Sequence, residues 1–222
     1  MAQLFFKEKE KKFIIFLKKT LRKELLPNIE ESAALSFIHQ NLLIRWFFWQ
    51  RIRWALRLTQ NLQMTKVLDF GTGSGVLLPF LNPLSKTIYA LDLNTTLAKK
   101  TKEEFNLTNV KIIKYTSETI PLSPETIDFV FALEVFEHTD NLQKLIDDIY
   151  RVCKKDACLL FSGPTENCIY KIGRFFSGFK GNYHKTPVDE IIKIIEKRFV
   201  KVKSVKLYPI LPIYIFGIYN KK

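Results

Sequence analysis

Two kinds of hydrophobic spacing divide the chain. Over residues 3–26, Phe6, Phe13, Leu17, Leu21 and Leu25 recur at helical intervals. Lys7, Lys11, Lys12, Lys18, Lys19 and Lys23 surround them, which predicts an amphipathic helix closed by Pro27. A second helix is expected over about 31–61, through NLLIRWFFWQRIRWALRLT. There Gln50, Arg53 and Arg57 share a narrow sector of the wheel, while Arg45 and Arg51 interrupt the apolar face. From Lys66 the pattern shortens into the runs KVLDF, TIYALD, VKIIKY, IDFVFAL and ACLLFSG, each strand-like and each ending near a polar or small residue. Helical patterns fall between them at about 75–82, 94–106 and 140–153. Such alternation predicts an α/β domain with a mostly parallel sheet and helices on both faces. A helix at about 187–198, behind Thr186-Pro187, then precedes FVKVKSVKL and IYIFGIY, which read as an antiparallel hairpin. The boundary falls at Gln60–Thr65, giving a helical extension at 1–63 and the α/β domain at 64–222.

The most specific local signal is VLDFGTGSG. An apolar strand, Lys66–Phe70, runs into a loop with Gly71, Gly73 and Gly75, and a helical pattern comes after it. Glycines let backbone pass close to a ligand, and a dinucleotide-binding loop would share the pattern. Asp69 ends the first strand, and about 20 residues on Asp92 ends the next, placed to hold ribose hydroxyls. Either carboxylate alone could be a structural cap. The pair, spaced this way after two strands, points to a ligand.

These residues resemble the first two motifs of class I S-adenosylmethionine-dependent methyltransferases, small-molecule (type 11/12-like) branch. The order of the later segments, YTSETIPL, TIDFVFALEVFEHTDNL and IYRVCKKDACLLFSGP, is similar to that family from Lys66 to about Pro164. The resemblance implies a Rossmann-like, seven-stranded, mostly parallel sheet and S-adenosyl-L-methionine as cofactor. It further implies that Asp69, Gly71, Thr72 and Gly73 line the methionine part, and that Asp92 takes the ribose with Leu93 beside the adenine. Thr116 and Ser117 would meet the adenine edge, and Leu133 would close the pocket. The family usually has Asp where this chain has Thr116, and a Gly-rich turn where it has Lys154-Lys155-Asp156.

Methyl transfer needs the acceptor aligned for in-line attack, and a hydroxyl acceptor also needs its proton removed. His138, after the fourth strand, and His184, in GFKGNYHKTP, are the candidate bases, with Glu137 beside the first. His39 lies in the extension and reads as a surface or packing residue. Glu134, Glu137 and His138 offer a divalent-metal alternative, because similar E-x-x-E-H clusters bind metal in some relatives. The competing reading has no metal, with Glu137 and His138 shaping the loop.

Charge then bears on partners. The formal net charge is +13, and residues 1–63 hold 12 Lys/Arg against 5 Glu. An anionic membrane or nucleic acid would suit this balance. The 27 Lys against 8 Arg also fit an A/T-heavy codon usage, which explains basicity without a partner. Trp46, Trp49 and Trp54 suit a membrane interface, and Phe175, Phe176 and Phe179 an apolar acceptor; the rival reading packs them as core or lid. Cys153, Cys158 and Cys168 show no zinc or CxxC spacing, and no run is long enough to span a bilayer. A cytoplasmic protein, at most peripheral to the inner face of a membrane, is expected. The acceptor is read as a hydrophobic small molecule, namely a lipid, quinone precursor or glycolipid. The alternatives are RNA 2′-O-methylation, a non-catalytic cofactor-binding subunit and a nicotinamide enzyme. No N/D-P-P-Y/F motif of base-amine methyltransferases stands after the fourth strand; Leu133-Glu134-Val135-Phe136 takes its place.

Overall fold

A computed structural model describes residues 2–23, 34–116, 119–165, 185–207 and 213–222. Its seven strands are β1 (Lys66–Phe70), β2 (Thr87–Asp92), β3 (Val110–Lys114), β4 (Ile127–Leu133), β5 (Cys153–Pro164), β6 (Phe199–Leu207) and β7 (Tyr214–Lys221). They form one sheet in the order β3-β2-β1-β4-β5-β7-β6. The fold is α/β and Rossmann-like, mostly parallel, with a C-terminal antiparallel hairpin, as the alternation of runs predicts. The chain divides into two compact units, Met1–Gln63 with Thr72–Lys114 and Met64–Gly71 with Tyr115–Lys222.

In the first unit, β2 and β3 pair in parallel, Ala90 with Ile112 and Asp92 with Lys114, and α5 (Thr96–Glu104) links them. The helix α1 (Ala2–Lys23) forms where the Phe/Leu spacing predicts. The second expected helix is two, α2 (Ala34–Phe37) and α3 (Leu42–Thr59). Asn41 divides them. Its side chain accepts from the Leu43 N–H at 2.9 Å, and the Asn41 N–H donates to His39 Nδ1 at 3.0 Å. An N-cap of this kind starts a new helix rather than continuing an old one. His39 is thereby a capping partner.

Trp49, fully buried, centres the packing of these helices. Phe37, Phe13 and Phe6 pack edge-on against it with centroids at 5.2, 6.0 and 6.1 Å, and its Nε1 donates to the Phe37 carbonyl at 3.2 Å. Phe6 stacks on Phe80 of α4 (Leu78–Leu81) at 4.7 Å, and Phe13 meets Phe105 at 5.9 Å. Trp49 is therefore core and not an interface residue, whereas Trp46 is 47% exposed. The helix expected at 75–82 shrinks to α4, because Gly75 has φ 73 and cannot sit in a right-handed helix.

In the second unit β4 lies between β1 and β5, in parallel with both, with Asp69 opposite Phe131 and Phe131 opposite Leu160. Phe129, Val130, Phe131 and Ala132 are completely buried, the continuous apolar run of a central parallel strand. β5 starts at Cys153, earlier than the run ACLLFSG suggests, with Asp156 at φ 63 where the sequence predicts a turn. Asp128 fastens this end of the sheet, accepting from the Lys66 N–H at 2.7 Å and from Lys154 Nζ at 2.6 Å. The helix α6 (Leu142–Val152) buries Leu142, Leu145, Ile146, Ile149 and Val152, one helical stripe, behind an Asn141 cap. α7 (Val188–Glu196) buries Val188, Ile191 and Ile195. Burial pushes the Cys153 thiol up to about 12, so it is an inert core group. The edge strand β6 exposes Lys201 and Lys203, side chains that discourage pairing with another sheet.

Candidate cofactor and acceptor site

Within the first unit, the loop after β1 is tied to β2. The Thr72 N–H donates to the Leu91 carbonyl at 3.0 Å, and the Gly73 N–H donates to Asp92 Oδ2 at 2.7 Å. The other oxygen, Oδ1, accepts from the Asn94 N–H at 3.0 Å. Asp92 is thus held in one orientation at the end of β2 and half-buried. A carboxylate has about four lone-pair sites, so each oxygen retains capacity for a hydroxyl donor. Gly73 has φ 53, and nothing lies within 4 Å of where a Cβ would stand. An open cradle beside an oriented carboxylate fits the ribose end of an adenosyl ligand. Leu93 is 59% exposed next to it in sequence, an apolar surface available to a flat base. Thr101 Oγ1 donates to the Ser74 carbonyl at 2.7 Å and steadies the loop from α5.

Within the second unit, Asp69 is buried near the end of β1, and Leu133 closes β4 half-buried. Gly71 has φ 74, and an added Cβ would stand 2.5 Å from Val135 Cγ2. Gly71→Ala is therefore expected to destabilise by about 2–4 kcal/mol in urea unfolding, from left-handed backbone plus overpacking. Adding Val135→Ala should recover only part of the overpacking, because Val135 Cβ itself stands 2.8 Å from the added Cβ, and should leave the backbone part. Val135 is a neighbour that reading the sequence missed, and no local pattern marks it.

After β4 the chain turns at Glu134, φ 56, whose N–H donates to the Ser162 carbonyl at 3.0 Å. A 3-10 turn, Phe136–His138, comes next; Phe136 stacks on Phe161 at 5.5 Å. This anchor buries Glu137 and leaves His138 exposed. The Lys185 N–H donates to the Glu137 carbonyl at 2.7 Å, so the residues flanking His138 and His184 in sequence meet. His184 itself, Ser117, Phe175, Phe176 and Phe179 lie outside the described residues. Thr116 is exposed. Glu134, Glu137 and His138 do not gather into a metal site; among the described residues no group of three such side chains does. The turn separates them by burying one and exposing another. Ser162, also missed, is 1% exposed on β5, and its Oγ has no hydrogen-bond partner among the described residues.

Residues 68–161 match the family described as "Methyltransferase domain". This is a class I, S-adenosylmethionine-dependent methyltransferase domain of the type 11 branch. Among curated proteins, the chain is similar to a malonyl-[acyl-carrier protein] O-methyltransferase of Marinomonas sp., 29% identical over 55% of this chain and 46% of that one. It is also similar to the mitochondrial ubiquinone biosynthesis O-methyltransferase of Rattus norvegicus, 32% identical over 50% of this chain and 34% of that one. The chain spans about half or less of the length of these relatives. Among solved structures, the N-methyltransferase NodS from Bradyrhizobium japonicum in complex with S-adenosyl-L-homocysteine superposes with a TM-score of 0.66. At 15% identity over 92% of this chain and 98% of that one, this likeness shows the fold of the methyltransferase domain. The loop Gly71–Gly75 and Glu134–His138 both fall inside the matched span, whereas α1, α2 and α3 precede it. Among the described residues no helix is long and apolar enough to cross a membrane.

Proposed function

We propose that the chain transfers a methyl group to an oxygen of a hydrophobic, membrane-held small molecule such as a lipid, quinone precursor or glycolipid. The observation that carries the methyl-transfer half is the Asp92 carboxylate held by the Gly73 and Asn94 N–H groups beside an open glycine cradle. The oxygen acceptor rests on the relatives' names, since two of them are O-methyltransferases. When bound, S-adenosylmethionine supplies a methyl already activated on sulfur. Asp92 would accept from its ribose hydroxyls, and Asp69, Gly71, Thr72 and Gly73 would receive its methionine part. Leu93 and Thr116 would border the adenine and Leu133 would close over the cofactor; the same role is expected of Ser117, which lies outside the described residues.

Catalysis is chiefly alignment, plus removal of one proton. His138 or His184 accepts the acceptor hydroxyl's proton as its oxygen takes the methyl. The thioether left on the cofactor would be the other product. The Lys185 N–H, bonded to the Glu137 carbonyl, ties the residue that follows His184 in sequence to the turn that carries His138. Glu137, buried, holds its turn. Transfer of radiolabelled methyl groups from S-adenosylmethionine into a cell extract, split into lipid, RNA and protein fractions, tests the reading. Label is expected in lipid. Label in RNA would assign the acceptor wrongly, and cofactor binding with no label anywhere would make the chain a non-catalytic subunit.

A further inference from the structure

The first unit carries large apolar side chains that stay exposed. At the start of α3, Leu42, Leu43 and Trp46 are 66%, 76% and 47% exposed, while Trp49, Ile52 and Ala55 on the same helix are buried. On α1, Ile15 is 57% exposed although Phe13, Phe16 and Leu17 beside it are core. Its neighbours four residues before and three and four after are Lys11, Lys18 and Lys19, all exposed. These are seated helices showing a second, outward apolar surface.

On the same helices a cleft of about 430 Å³ is lined by Lys18, Leu21, Ile38, Gln40 and Arg45. The Arg45 guanidinium donates to the His39 carbonyl at 3.3 Å, which holds the cation at the cleft. Two cations and two aliphatic side chains around one cleft fit a phosphodiester joined to a hydrocarbon. The charge is one-sided. In the described parts of α1, α2 and α3 the acidic residues are Glu8 and Glu10, and Glu10 is paired with Arg53.

We infer that the outward face of α1 and the α2–α3 corner dock the chain on an anionic phospholipid surface, with Lys18 and Arg45 receiving a headgroup phosphate and Leu42, Leu43 and Trp46 entering the interface. Aliphatic side chains and Trp beside Lys and Arg match the chemistry of that zone. Nucleic acid would use the cations and leave Leu42 and Leu43 in water. The inference rests on the membrane-held acceptor for its purpose. Vesicle binding reads the surface while label transfer reads the chemistry, so the two fail separately.

The test is flotation of the full chain with phosphatidylcholine vesicles, with and without phosphatidylglycerol. Binding is expected only with phosphatidylglycerol, with a blue shift of tryptophan emission that Trp46→Phe removes. A Leu42→Ser/Leu43→Ser variant, altering two exposed positions, should keep the thermal melt and lose at least about tenfold in vesicle affinity. Lys18→Glu should lose about tenfold as well. The inference is overturned if the chain does not float, if it floats equally with neutral vesicles, or if the double Ser variant binds as before. It is equally overturned if RNA binding falls with Lys18→Glu while vesicle binding does not.

Discussion

Asp92→Ala is expected to weaken S-adenosylmethionine binding about 100-fold or more by calorimetry, while leaving the thermal melt nearly unchanged. Hydrogen bonds to a charged group are worth about 1.5–3 kcal/mol each, and two ribose hydroxyls converge on this carboxylate in the proposed site. The substitution also frees the Gly73 N–H, which Asp92 now holds at 2.7 Å, so the loop loses its orientation together with the ligand contact. Asp92→Asn separates the two effects. It keeps the side chain's shape but turns a donor toward Gly73 or Asn94, so binding should fall by a similar factor. A variant that binds normally would remove Asp92 from the site. A variant that unfolds would make its role structural.

Trp49→Ala should destabilise by about 3–5 kcal/mol in denaturant unfolding, the cost of emptying a fully buried large aromatic site. Trp49 touches three layers at once: Phe37 of α2, Phe6 and Phe13 of α1, and Phe80 of α4, whose centroid lies at 6.3 Å. Because α4 belongs to the methyltransferase domain, the loss should appear in the melt of the whole first unit rather than as fraying of a tail. Trp49→Phe should cost less, since it keeps the ring contacts and forfeits the 3.2 Å bond to the Phe37 carbonyl. An unchanged melt for the alanine variant would mean that α1 and α3 are not packed on the domain.

The strands were legible because each is a short apolar run stopped by a polar or small residue, and a parallel sheet buries such runs on both faces. Asp69, the glycine loop and Asp92 were legible for a similar reason: a strand end followed by glycine is a local pattern. The break between α2 and α3 was also written in the chain, as Asn41 before a helical run, but the strong periodicity of the flanking aromatics masked it. Other features are not local. Gly71 depends on Val135, 64 positions on, through a contact that only the folded sheet creates. The letters of Glu134, Glu137 and His138 do not say that a 3-10 turn will bury the second and expose the third. Trp46, Trp49 and Trp54 look alike in sequence; which one is core is decided by what lies opposite, here Phe13 and Phe80.

The most direct test of a methyltransferase site is calorimetric titration of the purified chain with S-adenosylhomocysteine and, separately, with a nicotinamide dinucleotide. Saturable binding of S-adenosylhomocysteine, one molecule per chain, with no heat from the dinucleotide is the predicted result. Dinucleotide binding, or no binding of S-adenosylhomocysteine, would contradict the account at its centre.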